Sequence, residues 1–187
     1  MKDAEPYIAG SSLKGKIRSL LEHYFRLIDP LGNGGVVDSA STFGDAKKRE
    51  LIVKLFGESA GENKSANITR LIFRDCFISE KVRGAKIANK VELFEEKAEN
   101  TIDRKTGTTK NGGLRHIERV PSAIEFDFDV SIRIFHDDNA ELFENTLKLG
   151  LKLLELDALG GSGSRGYGKV QFSSISESIE ELTKKVG

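Results

Sequence analysis

The densest chemistry in the sequence lies in GGSGSRGYGKV, from Gly160 to Val170. Gly160, Gly161, Gly163 and Gly166, with Ser162 and Ser164 between them, free the backbone to turn its N–H groups toward one anion. Arg165 and Lys169 supply charge, and Tyr167 offers a ring for stacking, so the run has the makings of a phosphate or nucleic-acid cradle. It is not a nucleotide P-loop, whose GxxxxGK[ST] leads from a strand into a helix, because this run stands between a helix and a strand. A glycine-rich turn that only ends a helix is the competing reading. A second cluster, GSSLKGKIRSLLE, opens the first helix with Ser11, Ser12, Lys14, Lys16 and Arg18. Cations in the first turns oppose the helix dipole unless an anion sits there too. The bland alternative is a solvated basic face.

Catalytic constellations are thinner. His23, His116 and His136 share no ligand spacing, and no Ser/His/Asp order stands out, so no catalytic residue is assigned. Cys76, the single cysteine, lies in the apolar run LIFRDCFI and reads as a small buried residue. Glu92, Glu95, Glu96 and Glu99 read as a solvated charged face rather than a metal site.

With 187 residues, 29 Lys plus Arg balance 29 Asp plus Glu, which excludes a uniformly basic protein and leaves nucleic-acid binding to local patches. One cysteine excludes a disulfide framework. The start, MKDAEPYIAG, lacks a signal-peptide core and no run is long enough to span a membrane, so a cytoplasmic, membrane-free protein is expected.

These residues need elements to position them. Ile17, Leu20, Leu21, Tyr24, Phe25 and Ile28 keep helical spacing, which predicts a helix from about Ser12 to Leu27 capped by Ser11 or Ser12. Residues 29–44 and 57–67 read as loops, the first of them mobile, around a short helix that stops at Gly57. Arg70 to Ile78 reads as a buried strand. Phe126, Phe128, Val130, Ile132 and Ile134 alternate with polar residues as a half-buried strand over 125–135. Ala140 to Leu156 is a long helix, Lys169 to Phe172 a final strand, and Ser174 with Glu177 opens a terminal helix. Residues 79–120 show no sustained periodicity and read as an inserted subdomain, whose stretch 104–119 carries five cations against Glu118.

Taken together, IAGSSLKGKIRSLLE, LFG, RLIFRDCF, ENTIDRKTG, IERVP and LKLLELDALGGSGSRGYGKV resemble the repeating backbone subunit of type III-A CRISPR interference complexes, in the superfamily of repeat-associated mysterious proteins. The resemblance implies an α+β, ferredoxin-like (RRM-like) core in a single domain, 1–187, polymerising along a CRISPR RNA with other subunits of the complex and meeting complementary target RNA. It carries RNA contact onto Ser11, Ser12, Lys14, Lys16, Arg18 and the loop Gly160 to Lys169. It makes 79–120 a lid and thumb whose hairpin, Thr101 to Pro121 and including Arg104, wedges between guide and target. It also implies target-RNA cleavage with a divalent metal, Mg2+. Family members carry a further strand and an aspartate-bearing loop ahead of PYIAGSS, where this sequence has Met1 to Glu5. The expectation is therefore a core missing its first strand, with the catalytic aspartate and metal ligands unknown, and Asp3 is not given that role. The alternative is an inactive RNA-binding scaffold.

Overall fold

The computed structural model describes residues 5–32, 34–58 and 68–187. They fall into a helical unit, Ala9–Arg74 with Asp129–Gly187, and a hairpin unit, residues 5–8 with Asp75–Phe128.

In the helical unit, α1 (Gly10–Tyr24) buries Leu13, Ile17 and Leu21, one residue per turn on one face. Its N-cap is Ala9, with no side-chain cap, so Ser11 and Ser12 lie inside the first turn rather than before it. The helix also ends earlier than its apolar spacing predicts. Arg26 turns left-handed and the Leu27 N–H reaches back to the Glu22 carbonyl at 2.9 Å, which closes the last turn while Leu27 stays buried. The loop that follows holds no helix or strand among its described residues, yet it is anchored: Val37 is buried and its carbonyl accepts from Arg18 at 2.6 Å. Asp45 caps α2 (Ala46–Phe56), which stops at Gly57 as its sequence requires. The loop reading for 57–67 lies outside the described residues after Glu58.

Asn139 caps α4 (Ala140–Leu156), which packs along α1. Gly150 makes the close approach: a methyl there would lie 2.5 Å from Ile17 Cγ2. The terminal helix α5 (Ile179–Val186) packs on α4. Its capping box is Ser178 with Glu181, four residues beyond the pair singled out in the sequence, and the buried Leu182 and Val186 set that register.

The strands depart most from expectation. The apolar run Arg70 to Ile78 is two short strands, β2 (Leu71–Phe73) and β3 (Cys76–Phe77), in separate sheets. The 125–135 segment contributes one strand, β6 (Val130–Ile132), antiparallel to β2 with Leu71 opposite Ile132. Nearer the start of that segment, Ile78 pairs Phe126 in an isolated bridge. Residues 169–172 form no strand, because the Phe172 N–H donates to the Glu155 carboxylate at 2.7 Å instead of to a neighbouring strand.

In the hairpin unit, β1 (Tyr7–Ile8) pairs β3 antiparallel, and Ser79 caps α3 (Glu80–Ile87), a helix that its sparse apolar residues concealed. Ile78, Val82 and Leu93 form the unit's small core, with Val91, Ile124 and Phe126 against it. β4 (Glu95–Glu99) and β5 (Arg115–Arg119) make an antiparallel hairpin continued by the bridge of Ile102 with Thr109.

Candidate nucleic-acid interface

The helical unit brings the two sequence clusters together. The first turns of α1 lie beside the last turn of α4, and Lys16 Nζ bonds Asp157 Oδ2 at 2.7 Å, at the residue from which the glycine-rich loop departs. That bond holds the Asp157 carboxyl below the usual aspartate range. Gly10 explains why the basic turn begins as it does: a methyl there would stand 2.7 Å from the Arg74 carbonyl oxygen and 2.8 Å from that of Phe73, so only glycine lets α1 start against the end of β2.

The loop folds back on itself. The Leu159 N–H donates to the Gly168 carbonyl at 2.8 Å, and between them Gly163–Arg165 make one 3-10 turn entered through a left-handed Ser162. Gly168 is at φ 70°, and a methyl on it would sit 1.9 Å from the Leu159 carbonyl oxygen, so this position admits no side chain. By contrast Gly160, Gly161 and Gly166 face open space. Their backbone, with Ser162, Ser164, Arg165 and Lys169, is exposed, and Tyr167 is half-buried.

The three cations of α1 have different employments. Arg18 turns inward, its side chain 13% exposed, with Nε on buried Glu22 at 2.8 Å and Nη2 on the Val37 carbonyl. Lys16 is bonded to Asp157. Lys14 is half-buried, and burial first, then the neighbouring Arg18, press its pKa below the ordinary lysine value. A phosphate beside Lys14 would relieve the repulsion. Ser11 and Ser12 are exposed on the same first turn.

Residues 2–171 match the RAMP superfamily. The chain belongs to that superfamily. It is 40% identical over 168 residues to the CRISPR system Cms endoribonuclease Csm3 of Methanocaldococcus jannaschii, a match covering 90% of this chain and 63% of that protein. It is 41% identical over 173 residues to the Csm3 endoribonuclease of Streptococcus thermophilus, covering 91% of this chain and 70% of that one. The chain thus spans less than two thirds of the length of the first of these relatives. Among solved structures it is similar to a Csm3-Csm4 subcomplex of the type III-A CRISPR-Cas interference complex, at 28% identity over 87% of this chain and 59% of that one, with a TM-score of 0.48.

In this RAMP chain the remaining sequence-derived contact, Arg104, sits at the exposed tip of the β4–β5 hairpin, in the hairpin unit. Folding pairs off part of the basic character expected of 104–119. Register sets Glu99 opposite Arg115 and Glu95 opposite Arg119, with ion pairs of 2.8 and 2.5 Å, and His116 Nδ1 lies 2.5 Å from Glu96. Over 95–119 six Lys and Arg meet five carboxylates, a net charge of +1. What stays cationic is the tip, with Arg104, Lys105 and Lys110 exposed. Sequence reasoning missed Asp157 and Glu22, the two carboxylates that organise the α1 cations. Asp157 directly follows the apolar run of α4 in LLELD, and Glu22 stands four residues after Arg18, the spacing of a helical ion pair. Among the described residues no three His, Cys, Asp or Glu side chains gather as metal ligands. No helix among them is long and apolar enough to cross a membrane.

Proposed function

We propose that this chain is a guide-RNA-binding backbone subunit of a type III CRISPR ribonucleoprotein, and that it holds RNA phosphates between the first turns of α1 and the glycine-rich loop. The observation that carries this reading is the Lys16–Asp157 bond, which sets the basic turn of α1 beside the residue from which the glycine-rich loop departs and so supports a shared phosphate-binding surface. Lys14 and Lys16 supply charge. Ser11, Ser12, Ser162 and Ser164 supply hydroxyls, and Gly160, Gly161, Gly163 and Gly166 supply backbone N–H groups, with Arg165, Tyr167 and Lys169 on the same loop. Arg18 serves from behind, fixing the turn through Glu22 and Val37. Such a set reads phosphate and sugar, not base identity.

The core itself we read as ferredoxin-like. The order α1, β2, β6, α4 among the elements of the chain, with β2 and β6 antiparallel, supports that reading as the middle of such a pattern. The β4–β5 hairpin, with Arg104 at its tip, suits the thumb that meets complementary target RNA. Further copies of the chain and other type III subunits are the expected protein partners, in the cytoplasm. The relatives' name, endoribonuclease, supports RNA cleavage as an activity of the complex, and target RNA as its substrate with Mg2+ as its metal are part of our proposal.

Binding is tested by fluorescence anisotropy of labelled guide RNA across a salt series. Affinity should fall steeply with salt, vary little with sequence, and drop when Lys14 and Lys16 are both replaced by Ala. Salt-independent binding, or equal binding by the double variant, would remove α1 from the site. Cleavage is tested by incubating the assembled ribonucleoprotein with labelled complementary RNA and Mg2+. Regularly spaced products support the nuclease, and intact target supports the inactive scaffold.

A further inference from the structure

The hairpin unit carries a feature that RNA binding does not use. Tyr7 and Phe77 stand opposite each other across β1 and β3, ring centroids 5.9 Å apart and planes inclined by 30°, yet their exposures are 56% and 55%. Alternate residues point the other way: Cys76, between Asp75 and Phe77, is buried. On the far side of Phe77 the Asp127 N–H donates to the Phe77 carbonyl at 2.8 Å, one step along from the bridge of Ile78 with Phe126. Directly opposed residues of antiparallel segments share a face, so Tyr7, Phe77 and Asp127 form one row.

The unpaired charge on this row is negative. Glu5 is paired with Arg83 at 3.1 Å and Glu125 with Lys81 at 2.8 Å, while Asp127 is exposed and has no ion-pair partner among the described residues. Two stacked rings with a carboxylate at their edge suit a flat cation, which stacks on a ring face and bonds the carboxylate at once. A nucleobase would stack equally well, but its phosphate would have to lie against Asp127.

We propose that Tyr7, Phe77 and Asp127 form a docking site for an arginine side chain presented by a protein partner. The site uses none of the residues proposed to bind RNA and goes beyond the proposed function. The test follows the ring protons of Tyr7 and Phe77 by NMR in the intact chain, titrated with an acetylated and amidated tetra-arginine peptide, its tetra-lysine counterpart and a single-stranded RNA oligonucleotide. The arginine peptide should move both rings and bind about three-fold more tightly than the lysine peptide of equal charge. That preference should vanish in the Tyr7→Leu/Phe77→Leu variant, whose substitutions are exposed, and weaken in Asp127→Asn. Equal binding of the two peptides, a preference that persists in the double leucine variant, rings unmoved by any probe, or rings moved by RNA in place of the arginine peptide would each overturn the proposal.

Discussion

Two stretches of this chain read as basic in sequence, the start of α1 and the arm at 104–119, and folding treats them differently. In the arm, strand register sets Arg115 against Glu99 and Arg119 against Glu95, so the charge of the strand is neutralised within the hairpin and the exposed tip keeps Arg104, Lys105 and Lys110. At α1 the spacing sets Lys14 and Arg18 one turn apart on the same face, an arrangement of like charges that costs a helix a few tenths of a kcal/mol. Arg18 then withdraws to Glu22, Lys16 takes Asp157, and Lys14 is left with its pKa pressed down. A charge count along the chain cannot separate these cases. The separation comes from which carboxylate the backbone brings alongside.

The largest effect should come from the loop beside α1. Gly168→Ala places a methyl onto the Leu159 carbonyl at φ 70° and should cost on the order of 3 kcal/mol or more in thermal unfolding, with loss of RNA binding. The matching change at the hairpin tip, Gly107→Ala, has a similar φ of 71° but open space around it, and should cost only about 1 kcal/mol. Equal costs would mean that the 159–168 closure contributes nothing to the loop.

A second contrast concerns a charge that folding hides. Asp138 has a side chain only 2% exposed, bonded to Arg70 Nε at 2.7 Å and accepting the Phe135 N–H at 3.0 Å. The Arg70 hydrogen bond holds its carboxyl below the ordinary aspartate range. A carboxyl depressed in the folded state stabilises above its unfolded pKa, about 3.9, and that contribution fades as pH falls through the folded value. Asp138→Ala should therefore cost roughly 2 kcal/mol at pH 7 in denaturant unfolding, and the difference from the parent chain should shrink in acid. A difference that stays constant from pH 7 to pH 2 would sink the idea.

How legible all this was depends on the kind of signal. α1, α2 and α4 announce themselves because each buries several residues at helical spacing, and Asn139 and Gly57 mark their ends. The pairing at Lys16–Asp157 was hidden because its partners are 141 positions apart and only the antiparallel packing of α1 on α4 joins them. The 70–78 strand read as one element because composition does not reveal a change of pairing. Leu71 is opposite Ile132 but Ile78 is opposite Phe126, seven steps against six, so one residue is extra and regular pairing breaks between β2 and β3. The Lys169–Phe172 strand failed for a related reason, since a β-forming composition does not say whether an amide meets a strand or the carboxylate of Glu155.

RNA affinity should distinguish the two basic stretches directly. Lys14→Ala with Lys16→Ala should weaken guide-RNA binding about five-fold or more and flatten the logarithmic salt slope by roughly 0.7, one phosphate contact on a single strand, carried by Lys14 because Lys16 already answers to Asp157. Arg115→Ala with Arg119→Ala removes the same formal charge from the hairpin and should change affinity by less than about two-fold, because those guanidinium groups already answer to carboxylates. Equal losses from the two double variants would mean that hairpin pairing does not spare its arginines from RNA.

The smallest effect isolates the pairing itself. Glu95 and Arg119 are directly opposite across β4 and β5, 2.5 Å apart, with side chains 42% and 34% exposed. Water screens such a pair, and ordering two long side chains offsets part of the attraction, so a double-mutant cycle with Glu95→Ala and Arg119→Ala should give a coupling of roughly 0.2 to 1 kcal/mol. The coupling should shrink as salt is raised from low ionic strength toward 1 M, where the screening length falls to about 3 Å. A coupling near zero at low salt would show that register brings these groups together without energetic consequence. The net +1 of the hairpin would then be an accident of composition, and its arginines would be as available to a phosphate as Lys14 is.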